Sequence, residues 1–219
     1  MVAGISAKIV KELRDKTSAG MMDCKKALQE ANGDFEKAEE ALKKRGLVTA
    51  AKKSGRIATE GIVEAYIHMG GKLGILVEVN CETDFVARRP EFQELARNIA
   101  MQIAACPQVQ YINADDIPTE TAERERRVEI EKDDLGNKPS EIKEKIVEGR
   151  IQKRLKEIVL VNQPFIRDSS VTIEELVKKN ISTLGENIQI RRFERFVLGE
   201  GLEKKNESFS DEVEKMMKK

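Results

Sequence analysis

The sequence predicts an α+β chain: a three-helix unit, a small antiparallel sheet packed with helices, a helical hairpin arm and a C-terminal helix. Three features predict it. Apolar residues recur at helical spacing through residues 5–46. Gly61 to His68 and Lys72 to Asn80 alternate in polarity around Gly70-Gly71, as the two arms of a hairpin do. Ile188 to Leu198, much further along, has the length and apolar content of another strand. The organisation expected is a helical module over 1–46, a basic linker over 47–60, a core domain over 61–200 with an arm at about 119–160, and a helical module over 201–219.

Each element has a local cause. Ser6 is placed to cap a first helix bearing Ile9, Val10 and Leu13, and Gly20 supplies a turn before the second. That second helix carries Ala27, Leu28 and Ala31 inward and ends at Asn32-Gly33. Asp34 caps a third whose stripe is Phe35, Ala38, Ala41 and Leu42, with Glu39/Lys43 and Glu40/Lys44 as i,i+4 pairs and Gly46 as its close. Met21-Met22 can fill the core or serve an adaptable binding surface; two adjacent residues cannot both face one core. From Leu47 to Glu60 the sequence turns small and basic, as in Ala50 to Arg56, and is expected to be a solvated tether; the basic patch has no aromatic on which a nucleobase could stack.

In the second strand Leu73, Ile75, Val77 and Val79 form one apolar face, and the pattern stops at Asn80. Thr83, Asp84, Phe85 and Val86 follow, ahead of Pro90, which suits the first turn of a helix bearing Phe92, Leu95, Ile99 and Ile103. Phe85 therefore sits at a strand-to-helix turn. It is either a plug over the strand end or a ring offered to a partner by a rigid loop. Pro118-Thr119 opens a charged helix to about Asp134, Gly136-Asn137 breaks it, and Pro139 starts another with Ile142, Ile146, Ile151 and Leu155. Gln163-Pro164-Phe165 reads as the way into a loop, and Thr172-x-x-Glu175 as a capping box. In the last strand Ile188 and Ile190 point one way, Phe193 and Val197 the other, and Phe196 and Leu198 return to the first side, so the strand is either buried on both faces or kinked near Arg191-Arg192. Asp211 to Lys218 is a short helix with acids first and lysines last.

Bulk composition narrows the function. The 39 basic and 39 acidic side chains cancel, so no global field draws the chain to nucleic acid or anionic lipid, and a protein partner fits better. Three well-separated cysteines and no membrane-length apolar run suit a reducing cytoplasm. A single histidine, no phosphate-cradling glycine loop and no metal-spaced pair leave little for an enzyme or a cofactor.

Asn80-Cys81-Glu82-Thr83-Asp84-Phe85-Val86 resembles a signature of elongation factor Ts, the nucleotide-exchange family of bacterial-type translation. The stretch Val10 to Thr17, continued by Ala19-Gly20-Met21-Met22-Asp23-Cys24-Lys25-Lys26-Ala27-Leu28, resembles the other. Gln163-Pro164-Phe165 and Gly199-Glu200-Gly201 extend the likeness over nearly the whole chain. The resemblance implies a ubiquitin-associated-like N-terminal module and a partner, elongation factor Tu. It assigns Asp84-Phe85 to a wedge near the partner's Mg²⁺ site, with Thr83 and Val86 shaping the turn. It assigns Arg14, Met21, Met22 and Lys25 to a second surface of the same GTPase domain, and a further contact to the C-terminal part. Ser18 stands where the family most often has glycine, and only one Phe-bearing sheet-and-helix unit is present. One half-sheet leaves an apolar face open, so a homodimer is expected. The alternative is an adaptor whose three-helix head binds ubiquitin-like or nascent-chain segments without exchange activity.

Overall fold

The computed structural model describes residues 5–17, 19–132 and 139–202. Ser18, the break at Gly136-Asn137 and the helix expected over 211–218 lie outside the described residues. Three helices open the chain: α1 (Ala7–Thr17), α2 (Met21–Glu30) and α3 (Phe35–Lys53). Their small core is Val10, Leu13, Cys24, Ala27, Leu28, Ala38 and Leu42. Asp34 caps α3 by accepting from the Lys37 N–H at 3.1 Å.

Of the tether expected over 47–60, the first half is instead helix, for α3 runs on to Lys53 and only residues 54–59 connect it to the first strand. Gly46 does not stop it because its missing side chain faces Ser182 of α8 (Ile173–Leu184), where a Cβ would lie 3.3 Å from Oγ. Small residues at 46 and 50 let the two helices approach, and Ala50 joins the core of the second half. Leu47, Ala50, Ala51, Lys52 and Lys53 are also good helix formers, which outweighs the β-branched Val48 and Thr49. Packing likewise redistributes the expected ion pairs. Glu40 meets Lys44 at 2.7 Å, but Glu39 pairs with Lys16 at 2.6 Å and Lys43 with Glu175 at 3.3 Å.

The sheet has the antiparallel order β1 (Glu60–Ile67), β2 (Leu73–Cys81), β5 (Ile188–Val197). Ile75, Val77, Val79 and Cys81 face α5 (Pro90–Ala105) and α8, where Phe92, Leu95, Ile99, Ile103, Ile173 and Ile181 fill the core. A bulge in β5 places Glu78 opposite Arg192 and Val79 opposite Ile190, leaving Arg191 as the extra residue. Of the two readings of this strand, buried on both faces or kinked near Arg191-Arg192, the kinked one holds. By shifting the alternation one place the bulge turns Phe193 to the side of Ile188 and Ile190, where it packs against the core, while Phe196 and Leu198 face solvent. Glu78 bridges the bulge, accepting from Arg191 at 2.8 Å and Arg192 at 2.7 Å. Beyond it, the Arg195 guanidinium donates to the carbonyls of Ile103, Cys106, Pro107 and Val109, closing the C-terminal end of α5.

The arm is α6 (Thr119–Ile130) against α7 (Ser140–Glu157). Val128 and Ile130 are exposed while Glu129 is buried, paired with Lys132 and Arg150; the apolar part of the arm is a small cluster of Val147 and Ile151, with Ile146 and Leu155 packed against it. Gln163 is buried and donates to the carbonyls of Lys156, Glu157 and Val159 at the end of α7. The segment read as a loop forms a two-stranded ribbon, β3 (Pro164–Phe165) with β4 (Asp168–Thr172). Thr172 and Glu175 form the expected capping box of α8.

Two predictions follow from these contacts. Gly61 has φ 147°, and a Cβ there would lie 2.1 Å from the Val79 carbonyl oxygen. Gly61→Ala is expected to cost about 2 kcal/mol or more, read as a lower urea midpoint. Arg191 and Arg192 hold the Glu78 carboxyl down from 4.5 to about 2. A depressed carboxylate contributes its stability fully above pH 4.5 and loses it as pH falls toward 2. The melting temperature should fall across that window, and less steeply in Glu78→Gln.

Candidate functional site

The turn after β2 is held by side-chain bonds at both of its ends. Residues Asp84–Ala87 make one helical turn, α4, too short to stand by itself. Thr83 caps it, its Oγ1 accepting from the Val86 N–H at 3.4 Å. Val86 and Ala87 are buried and pin the inner side of the turn to the core. Cys81 is fully buried and its thiol donates to the Thr83 carbonyl at 3.1 Å. Burial, reinforced by the nearby Glu186 carboxylate, pushes that thiol up to about 11, so it is a packing group rather than a nucleophile.

On the outer side, Phe85 is 78% exposed. The plug reading is excluded: an aromatic ring stands in solvent on a turn whose other residues are fastened down. Asp84 is partly exposed beside it and pairs with Arg88 at 2.8 Å.

A second braced pair flanks the turn from the end of α8. Glu186 accepts from the backbone N–H of Glu82 at 3.1 Å and of Thr83 at 3.0 Å, and from the Thr83 hydroxyl at 2.7 Å. In return Glu82 accepts from the Asn187 N–H at 2.7 Å, and this bond above all keeps its carboxyl below the usual range.

The residues predicted on the N-terminal module also lie at the surface. Arg14 and Lys25 are exposed. Met21 and Met22 are exposed together, and Cys24 takes the inward place, so neither methionine is core filler. An open cleft of about 620 Å³ runs between this module and the body. Arg14 and Asp15 stand on one wall, Arg89 and Glu94 on another, and Lys179 on a third. Of the predicted residues only Arg14 lines this cleft; Met21, Met22 and Lys25 do not, and Phe85 stands four residues before its Arg89. Sequence reasoning missed Glu186 and Asn187. The only signal was polar residues beside the helix-ending Gly185, and a separation of more than a hundred residues hides their partner.

A sequence profile described as Elongation factor TS matches residues 4–200. The chain belongs to the elongation factor Ts family. It is 73% identical over 219 residues to Elongation factor Ts, chloroplastic, of Guillardia theta, with all of both chains covered. It is 66% identical over 216 residues to Elongation factor Ts of Picosynechococcus, covering 99% of each. With the Rippkaea orientalis protein of that name it shares 64% over 97% of this chain and 85% of the relative. Membership carries a role in translation elongation. No described helix is long and apolar enough to cross a membrane.

If Phe85 has no part in the fold, Phe85→Ala should change stability by less than about 0.5 kcal/mol. Phe92→Ala, which empties a fully buried site in α5, should cost about 3–5 kcal/mol. Urea denaturation of both variants tests the contrast.

Proposed function

We propose that this chain is a guanine-nucleotide exchange factor that binds elongation factor Tu carrying GDP and speeds GDP release, with Asp84-Phe85 as the wedge. The observation that supports it is a solvent-exposed aromatic ring on a fastened turn. Large side chains on pre-organised backbone make the strongest interface anchors, each worth about 2 kcal/mol or more. In this reading no covalent chemistry is done. The protein binds the nucleotide-free or loosened partner better than the GDP-bound one, so by linkage it and GDP weaken each other's binding equally.

Phe85 enters the GTPase domain close to the Mg²⁺ site, and Asp84 accompanies it. Thr83 and Val86 shape the turn. Displacing the groups that hold the ion removes charge that steadies the phosphates, and about 1.4 kcal/mol off the barrier speeds release tenfold. Arg14, Met21, Met22 and Lys25 grip a second surface of the same domain, the unbranched methionines adapting to it. The C-terminal part supplies a further contact. The proposed setting is the cytoplasm.

Self-association belongs to the same proposal. The outer face of the sheet is apolar at its hairpin end, where Val63, Ile67, Leu76 and Phe196 are exposed. None of the described helices covers that face, and a second copy of the same sheet is the occupant we propose. Sedimentation at tens of micromolar should show a dimer that Phe196→Lys dissociates; a clean wild-type monomer removes the idea.

Release of fluorescent GDP from elongation factor Tu is the decisive test. Wild-type protein should accelerate it, Phe85→Ala should slow the accelerated rate about thirtyfold or more, from the loss of a hot-spot residue, and Asp84→Ala should slow it less. No acceleration by wild-type protein would leave only the adaptor reading.

A further inference from the structure

An exposed ring cannot hold itself in place, and the source of its orientation lies far off in sequence. The inference rests on the exchange reading of Asp84-Phe85. We propose that Glu186 is a positioning residue for exchange: it fixes the backbone that carries Phe85, and through Gly185–Asn187 it ties that backbone to the end of the N-terminal module's long helix.

The geometry carries both halves. The two N–H groups that precede the wedge, those of Glu82 and Thr83, point at one Glu186 oxygen, while its other oxygen takes the Thr83 hydroxyl. All three donors lie within three residues of Phe85, and a carboxylate is a stronger acceptor for them than a neutral oxygen. The return bond from Glu82 to the Asn187 N–H makes the attachment two-ended, so the turn cannot rotate about a single contact.

Asn187 extends it further. It is 1% exposed, and its side-chain amide donates to the carbonyls of Ser54 at 3.2 Å and Arg56 at 2.7 Å. Lys53, the last residue of α3, donates to the Gly185 carbonyl, and Arg56 reaches the Glu82 carboxylate at 3.5 Å. Gly185 itself is in the left-handed conformation that ends α8. The end of α3, the end of α8, the start of β5 and the Phe85 turn therefore meet at three consecutive residues. The surface bearing Met21 and Met22 and the turn bearing Phe85 are thus held in one relation before any partner arrives. Pre-organisation of this kind removes ordering cost from the encounter.

The test uses the full chain and five proteins: wild type, Glu186→Ala, Glu186→Gln, Phe85→Ala and the Phe85→Ala/Glu186→Ala double variant. Gln keeps an acceptor for both N–H groups and can donate to the Thr83 oxygen, so it should rescue. Glu186→Ala should slow GDP release from elongation factor Tu about tenfold at saturating concentration, the scale of losing charge-assisted hydrogen bonds, with a much smaller change in the half-saturating concentration. Glu186→Gln should restore the rate to within about threefold. In the Phe85→Ala background, Glu186→Ala should have no further effect. Amide exchange read by NMR adds a signal independent of the partner: Glu82 and Thr83 should lose protection in Glu186→Ala while Val77 and Val79 keep theirs. Unchanged protection at Glu82 and Thr83, or independent losses in the double variant, would overturn the positioning role. Phe85→Ala without effect, alongside lost protection in Glu186→Ala, would instead overturn the exchange reading and leave the brace standing. Should Glu186→Ala fail to fold, Glu186→Asp keeps the charge one methylene short, and an unaltered rate with unaltered protection in that variant would count against the role.

Discussion

Two acidic side chains reaching past each other, Glu82 toward Asn187 and Glu186 toward Thr83, hold the turn that carries Phe85. Each satisfies backbone donors that no strand or helix could use, since they lie just past the end of β2 and just before β5. A strand normally frays where its ladder stops, and a four-residue helix does not form alone. Here the ladder is in effect extended by carboxylates, and an aromatic ring is left in water without the backbone beneath it being free.

The rest of the fold makes that arrangement possible. A three-stranded sheet with helices on one side keeps Ile75, Val77, Val79 and Cys81 dry and carries β2 straight to the turn. The bulge at Arg191 keeps β5 in contact with the same core face beyond the point where strict alternation would have turned Phe193 outward. It leaves Phe196 and Leu198 on the opposite side with Val63 and Ile67. One extra residue in one strand therefore decides which part of the sheet is core and which part is available to another surface. Glu78, placed across from both arginines, holds that extra residue.

The N-terminal helices are joined to the sheet through α3, not through a loose tether. Gly46 and Ala50 form a small-residue strip against α8, and Lys43 meets Glu175 near the N-terminal end of that helix. The contact also explains why two expected i,i+4 pairs became one. Once Lys16 and Glu175 were within reach, Glu39 and Lys43 took partners from other helices. Exposed local pairs are worth only a few tenths of a kcal/mol, so tertiary proximity easily reassigns them.

Local physics accounts for what could be read from residues alone. Caps at Ser6, Asp34 and Thr172, the hairpin at Gly70-Gly71, the helix started by Pro90 and its buried stripe all depend on neighbours within a turn or a strand repeat. The signature around Phe85 was legible for the same reason, being contiguous. Whether the ring faced inward or outward was not, because burial depends on what packs above it. Nor were the length of α3, the side taken by Phe193, or the part played by Glu186. Each turns on a contact between residues far apart in the chain: Gly46 with Ser182, the register of β5 on β2, and Glu186 with Thr83. Sequence by itself determined the elements and the candidate residues; only the tertiary structure decided which of them meet, because distance along the chain says nothing about distance in space.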